Sequence, residues 1–168
     1  MALPHLDAAY NLARWLVRDD HDAQDIVQEA YLRALRFFAG FHGSDARGWL
    51  MAIVRNRCYS WLRRNRAAEV EFSEEDSAGA TSATMAHVDE DPAAQLARHD
   101  DSSALARALD RLPVEFREVV VLRELEELSY KQIAAIVEVP IGTVMSRLAR
   151  GRKLLAEALR PTSARTKQ

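Results

Sequence analysis

Only one cysteine, Cys58, occurs in the 168 residues, so no internal disulfide can form and no CxxC pair is available for redox or metal chemistry. Cys58 therefore reads as a small buried or half-buried side chain. The histidines His5, His21, His42, His87 and His99 are scattered without ligand spacing, which leaves no zinc site and no other metal to expect. No phosphate-cradling Walker loop, GxSxG elbow or HExxH helix is present, so the sequence points away from an enzyme and calls for no cofactor. Long apolar runs are missing too. None approaches the roughly 18 residues that a membrane helix needs, and MALPHLDAAY lacks the basic-then-apolar plan of a signal peptide. The expectation is a cytoplasmic protein without membrane insertion. A hydrophobic content of 48% nevertheless suffices for packed cores, either in one compact domain or in two small ones.

A net charge of −2 is low for a nucleic-acid binder, but it averages over a partition along the chain. Residues 1–66 carry ten Arg or Lys against seven Asp or Glu. Residues 67–101 carry a single base, Arg98, against ten acids, and residues 102–168 carry twelve bases against eight acids. Two mildly basic blocks thus flank an acidic one. The acidic segment is rich in Ala, Ser, Asp and Glu and has no sustained apolar period, so it reads as a flexible tether. A plain solvated loop and a segment competing with DNA for the basic faces both fit that composition.

In the first block, Leu6, Ala9, Tyr10, Ala13, Leu16 and Val17 mark a helix. Ala23, Ile26, Val27, Ala30, Tyr31, Ala34, Leu35 and Phe38 mark a second, longer one. Asp20 or Asp22 is expected to cap the second helix, with Asp25 near its positive end. Its polar face carries Asp25, Gln28, Glu29, Arg33 and Arg36. The glycine-broken stretch FAGFHGSDARG then leads to a third helix predicted from about Trp49 to Arg66. Leu50, Ile53, Val54, Trp61 and Leu62 form its core side. Arg55, Arg57, Arg63, Arg64 and Arg66 are five cations with no acid among them. Asn56, Tyr59, Ser60 and Arg63 share a face that mixes hydrogen-bonding, aromatic and cationic groups, the kind that grip a nucleic-acid backbone and stack on bases. Trp49 and Trp61 fit a core role better than a base-stacking one.

In the last block, Leu105, Ala108, Leu109 and Leu112 predict a short helix ending before Pro113, which suits the first turn of the next. Phe116, Val119, Val120 and the stem of Arg123 continue the core side. Ser129 and Gln132 then form a capping box, with Leu128 and Ile133 at the staple spacing. Ile133, Ile136 and Val137 share one face until Pro140 stops the helix. Ile141, Val144, Leu148 and Leu155 make the buried stripe of a following helix, whose opposite side shows Thr143, Ser146, Arg147 and Arg150. Two short helices around a tight turn, the second polar and cationic on its free face, form the pattern of a helix-turn-helix with a recognition helix for duplex DNA. An αα-hairpin with solvated arginines has the same local pattern.

Taken in order and separation, DAQDIVQEAYLRALRFF, GWLMAIVRNRCYSWLRRNR, LDRLPVEFREVVVLRELEELSYKQIAAIV and VPIGTVMSRLARGRKLL resemble the two domains of bacterial extracytoplasmic function sigma factors. The resemblance implies an all-α chain of two small helical domains joined by a flexible acidic linker. Residues 1–66 would bind core RNA polymerase and the downstream (minus-ten) promoter element, and 67–102 would be the linker. Residues 103–160 would be the helix-turn-helix domain for the upstream (minus-thirty-five) element, with a tail over 161–168. It further implies that Asp25, Gln28, Glu29 and Arg33 face the polymerase. His42, Ser44, Asp45, Arg47, Asn56, Arg57, Ser60 and Arg63 would meet the downstream element, and Thr143, Met145, Ser146, Arg147 and Arg150 the upstream one. The implied partners are core RNA polymerase, promoter DNA and an anti-sigma factor. Two positions depart from the family's pattern. Glu138 holds a turn position where many relatives have glycine, the residue that best tolerates a left-handed backbone. Met145 stands where relatives often carry lysine, which trades a phosphate contact for an apolar group able to touch a thymine methyl.

A free-standing repressor or activator would explain the helix-turn-helix but leave the polar face of the second helix and the five-cation helix without a task. A helical adaptor for acidic partners would use the basic faces without DNA.

Overall fold

The structure, a computed structural model, describes residues 5–73 and 103–160. The linker expected over 67–102 lies outside the described residues apart from the end of one helix, and the tail over 161–168 lies outside them entirely. Among the described residues the regular structure is helical throughout: α1 (Leu6–Val17), α2 (Asp20–Phe37), α3 (Ala46–Ser73), α4 over residues 103–111, α5 (Val114–Val120), α6 (Tyr130–Val137) and α7 (Ile141–Leu159). A short 3-10 turn over Phe38–Gly40 closes α2, and α5 runs on into a wider π turn over Val121–Leu125.

Local chemistry accounts for most of the boundaries. Asp19 caps α2, its carboxylate accepting the Asp22 N–H at 2.9 Å. The cap therefore sits one residue before the earlier of the two expected aspartates, because only Asp19 has an extended backbone at φ −142° and ψ 127°. Asp45 likewise accepts the Gly48 N–H at 2.8 Å and starts α3 ahead of the predicted Trp49. The helix continues to Ser73, past the expected end at Arg66. Ser129 and Gln132 close the predicted capping box in both directions, at 3.0 and 3.1 Å. Glu138 ends α6 in the left-handed region at φ 57° and ψ 47°, where a β-carbon is strained and glycine would not be.

The helices enclose one continuous core. Leu12 and Leu16 of α1 meet Leu50, Met51 and Val54 of α3, and the core runs on through Val119, Leu122, Leu128, Ile133, Ile136 and Leu148. Each such side chain contributes about 1.5–3 kcal/mol when fully buried. Gly151 is also buried in α7. A β-carbon there would stand 2.8 Å from a Val120 methyl, so the glycine lets α7 lie close on α5.

Several expected core residues are exposed instead. Leu35 and Phe38 of the first block, and Leu105 and Ile141 of the second, face outward. In α2 the small Ala30 and Ala34 take the buried line, and Leu35 and Phe38 lie to one side of it. Conversely, Arg117, Glu118 and Glu126 are buried although their charges marked them as surface residues. No single helix among the described residues is long and apolar enough to cross a membrane.

Candidate nucleic-acid and partner interfaces

Three surfaces carry the predicted residues. The first lies on α2, where Asp25, Gln28, Glu29 and Arg33 are exposed. The first three of these line a groove of about 360 Å³ between α2 and α3, together with Leu32, Trp61 and Arg64. Leu32 is 56% exposed and Phe37 60%, so the acidic face has an apolar border that the sequence reading missed. For Leu32 the available signal was position, because it falls opposite the helix's buried line; Phe37 continues that line, three residues after Ala34, and is exposed at the last residue of the helix.

The second surface follows the start and outer face of α3. His42, Ser44 and Asp45 are exposed, and the rings of Phe41 and Trp49 stack at 4.8 Å. Trp49 and Trp61 pack against the core, as the core reading expected. Along the outer face, the Arg63 guanidinium donates to the Ser60 hydroxyl at 3.4 Å, and that hydroxyl donates to the Asn56 carbonyl at 3.1 Å. Asn56, Ser60 and Arg63 thus form one polar line. Tyr59 leaves it. Its ring lies under the Arg55 guanidinium at 4.1 Å and its hydroxyl is buried, so one face of the ring is already taken. Arg57 pairs with Glu29, linking the second predicted surface to the first.

Several of these groups are bound by the helix-turn-helix half of the chain. Arg47 donates to both the backbone carbonyl and the carboxylate of Glu126, each at 2.9 Å. Gln132, already part of the capping box, also donates to Asp45 at 3.3 Å. Arg55 makes a two-pronged pair with the fully buried Glu118, at 2.9 and 3.2 Å. Burial works against the Arg55 charge, but its hydrogen bonds and the field of Glu118 outweigh it and raise the pKa. Arg117 donates to the Leu112 carbonyl at 3.0 Å and, across to α1, to the Leu16 carbonyl at 3.3 Å. Burial and then Arg18 lower its pKa. Cys58 lies in the same region, where burial and then Glu118 push its thiol up to about 12. These contacts hold α1 and the first part of α3 against the second half of the chain.

The third surface is the outer face of α7. The α6 and α7 axes differ by 100°, within the range of a helix-turn-helix. Val144 and Leu148 anchor α7 to the core, and Met145, Ser146 and Arg150 are exposed, with Thr143 and Arg147 half-buried beside them. The Ser146 hydroxyl donates to the Thr143 carbonyl at 3.1 Å, and Arg150 reaches over the Phe116 ring at 5.9 Å. Thr143, Ser146, Arg147 and Arg150 recur at i, i+3, i+4 and i+7 along one side of α7, whereas Met145 stands apart from them, three residues before the buried Leu148. Among the described residues no cluster of His, Cys, Asp and Glu has the makings of a metal site.

Comparison with known proteins places both halves. Residues 1–68 match the family described as Sigma-70 region 2, and residues 102–155 match Sigma-70, region 4. An ECF RNA polymerase sigma factor SigE of Mycolicibacterium smegmatis is 37% identical over 98% of this chain, which spans 62% of that protein's length. An RNA polymerase sigma-H factor of Pseudomonas aeruginosa is 32% identical, with 86% of this chain and 77% of that protein covered. Among solved structures, the sigma factor RpoE in complex with the anti-sigma factor NepR from Bartonella quintana aligns at a TM-score of 0.74. It is 30% identical and covers 94% of this chain and 93% of its own. With a region 2 match on the polar and basic faces of α2 and α3, and a region 4 match on the helix-turn-helix, the chain belongs to the extracytoplasmic function sigma factors of bacterial RNA polymerase.

Proposed function

We propose that this protein binds core RNA polymerase in the cytoplasm and directs it to promoters as an alternative sigma factor, itself catalysing no reaction. The observation that carries the reading is the presence of two separate candidate DNA surfaces in one chain, the polar line of α3 and the outer face of α7. Joined on one polymerase, two weak readers gain effective concentration from each other, so neither has to bind DNA tightly alone. In this reading Asp25, Gln28, Glu29 and Arg33 meet the polymerase, with Leu32 as an apolar contact at their border. His42, Ser44, Asp45, Arg47, Asn56, Arg57, Ser60 and Arg63 act on the downstream element. Opening a duplex costs a few kcal/mol for each base splayed out, so this surface has to supply pockets as well as charge. Thr143, Met145, Ser146, Arg147 and Arg150 enter the major groove of the upstream element. The working units are residues 1–66 and 103–160, with the intervening acidic segment as tether.

The contacts of Asp45 and Arg47 with Gln132 and Glu126 favour a cycle with an inactive arrangement. The start of the downstream-element surface is occupied by the chain's own second half and has to be released for promoter opening. An anti-sigma factor, such as the NepR bound to the Bartonella protein, would act by holding the inactive arrangement.

Run-off transcription with purified core polymerase on a fragment library of the host genome tests the function. Specific start sites appearing only when the protein is added are the expected result. Duplex binding by the protein alone, without polymerase binding or new start sites, would instead make it a free-standing repressor.

A further inference from the structure

A cleft of about 720 Å³ opens on the seam between the two halves of the chain. The end of α1 and the stretch of α3 from Tyr59 to Arg66 supply one side of it, and Val114, Glu115 and Arg117 at the start of α5 supply the other. Four arginines line the cleft, Arg18, Arg63, Arg66 and Arg117, against one acid, Glu115. Arg18, Arg63 and Arg66 are exposed, but Arg117 is only 4% exposed. Its terminal nitrogens donate to backbone carbonyls, among them those of Leu112 and Leu16. Its Nε is buried and has no hydrogen-bond partner among the described residues. A buried donor on a charged group is costly to leave unpaired. Burial and then the like charge of Arg18 also lower the Arg117 pKa, and Asp110 offsets Arg18 only at 3.4 Å. The cleft is thus short of negative charge and of at least one acceptor.

We propose that this cleft binds a small oligophosphate anion, and that the bound anion holds the two halves in the arrangement in which the start of the downstream-element surface is occupied. Guanidiniums match phosphate oxygens with paired N–H donors, which suits arginine rather than lysine at such a site. Four cations against one acid call for more than one negative charge. The volume lies within the roughly 300–1,000 Å³ of small-molecule sites, and Trp61 and Leu62 give the cleft an apolar wall that a nucleoside could use. Inorganic oligophosphates and nucleotides share the required chemistry. Promoter DNA fits less well, because its phosphates can meet the exposed Arg63 and Arg66 but not the buried Arg117. If the halves separate, Arg117 leaves with α5 and the four guanidiniums no longer converge. The anion therefore has differential affinity for the closed arrangement and shifts the population toward it.

The binding itself does not depend on the sigma-factor reading, whereas its effect on polymerase rests on it. Inorganic triphosphate and adenosine triphosphate are titrated by calorimetry into the full chain without polymerase, with adenosine as control. Both phosphates are expected to bind and adenosine is not, and a preference for the nucleotide would identify the base as part of the ligand. Arg18→Gln and Arg66→Gln each remove one charge-assisted contact at an exposed position. Each should weaken triphosphate binding about tenfold while keeping wild-type helicity. Spin labels at Gln24 and Glu157 should keep or narrow their distance distribution on addition of triphosphate. With free magnesium held constant, triphosphate should weaken association with core polymerase, because each partner lowers affinity for the other by the same factor. Absence of triphosphate binding, equal binding by wild type and both variants, label distances that move apart, or unchanged association with polymerase overturns the inference. So does an Arg66→Gln variant that loses promoter-DNA binding and keeps triphosphate binding, which would assign these cations to DNA. If triphosphate binds as expected but the protein neither joins polymerase nor initiates, the site stands and the sigma-factor reading falls.

Discussion

Arg55 and Glu118 illustrate how much can depend on one buried pair. Their two-pronged contact has one fully buried partner, so deleting either charge strands the other in a poorly solvating interior. Glu118→Ala is expected to lower the unfolding free energy by about 3–5 kcal/mol. The double replacement Arg55→Met with Glu118→Leu should recover most of that loss, because no uncompensated charge remains. Urea titration of the three proteins checks this, and equal losses in the single and double variants would contradict it. Nearby, the thiol of Cys58 is pushed from 9.0 up to about 12 by burial and by Glu118. The folded chain keeps its proton where the unfolded chain loses it. The resulting stability is complete below about pH 9 and disappears as the pH rises toward 12. Wild type should therefore lose stability faster than Cys58→Ala across that window, and its thiol should react with alkylating reagents at pH 8 only in denaturant. On the outer face, Arg147→Ala should weaken upstream-element binding about tenfold and leave polymerase affinity unchanged. Equal loss of both would mean that the residue supports the fold rather than the contact.

At the level of elements, α6 and α7 owe their positions to two small features. The Ser129 capping box satisfies N–H groups that the helix start leaves open, so Ser129→Ala should cost about 1 kcal/mol, read as a lower thermal midpoint. Gly151 lets α7 approach α5, and Gly151→Leu should force the helices apart and cost about 1–3 kcal/mol. A leucine variant as stable as wild type would show that the interface has slack. The capping box was legible because its two side chains act across three residues. Gly151 was less so, although it falls on the same line as Val144, Leu148 and Leu155. A glycine carries no apolar signal, and its role depends on what another helix brings to it.

At the scale of the molecule, the contacts of Arg47 and Arg55 with the second half of the chain, and of Arg117 with the Leu16 carbonyl of the first, define one arrangement of two working units. Labels at the exposed Gln24 and Glu157 should give a single distance distribution in the free protein and a different one in a complex initiating at a promoter. The bound anti-sigma state should match the first. Identical distances in all states would remove the proposed cycle. The same interface explains why part of the candidate site was misread. Arg55 was counted among the five cations of α3 and Tyr59 with its hydrogen-bonding and stacking groups. Both instead face Glu118, 63 residues from Arg55 in sequence.

The order of helices, the capping box at Ser129, the turn at Glu138 and the line of Thr143, Ser146, Arg147 and Arg150 on α7 all follow from spacings of a few residues. Such features were therefore readable from the sequence, and so was the family, which depends on the order of four local motifs. Tertiary structure alone decided which charges are buried, which apolar residues of α2 and α7 stay outside, and which predicted DNA contacts are already occupied. Helical periodicity specifies a face, but only the neighbouring helix decides whether that face is covered, and with which partner.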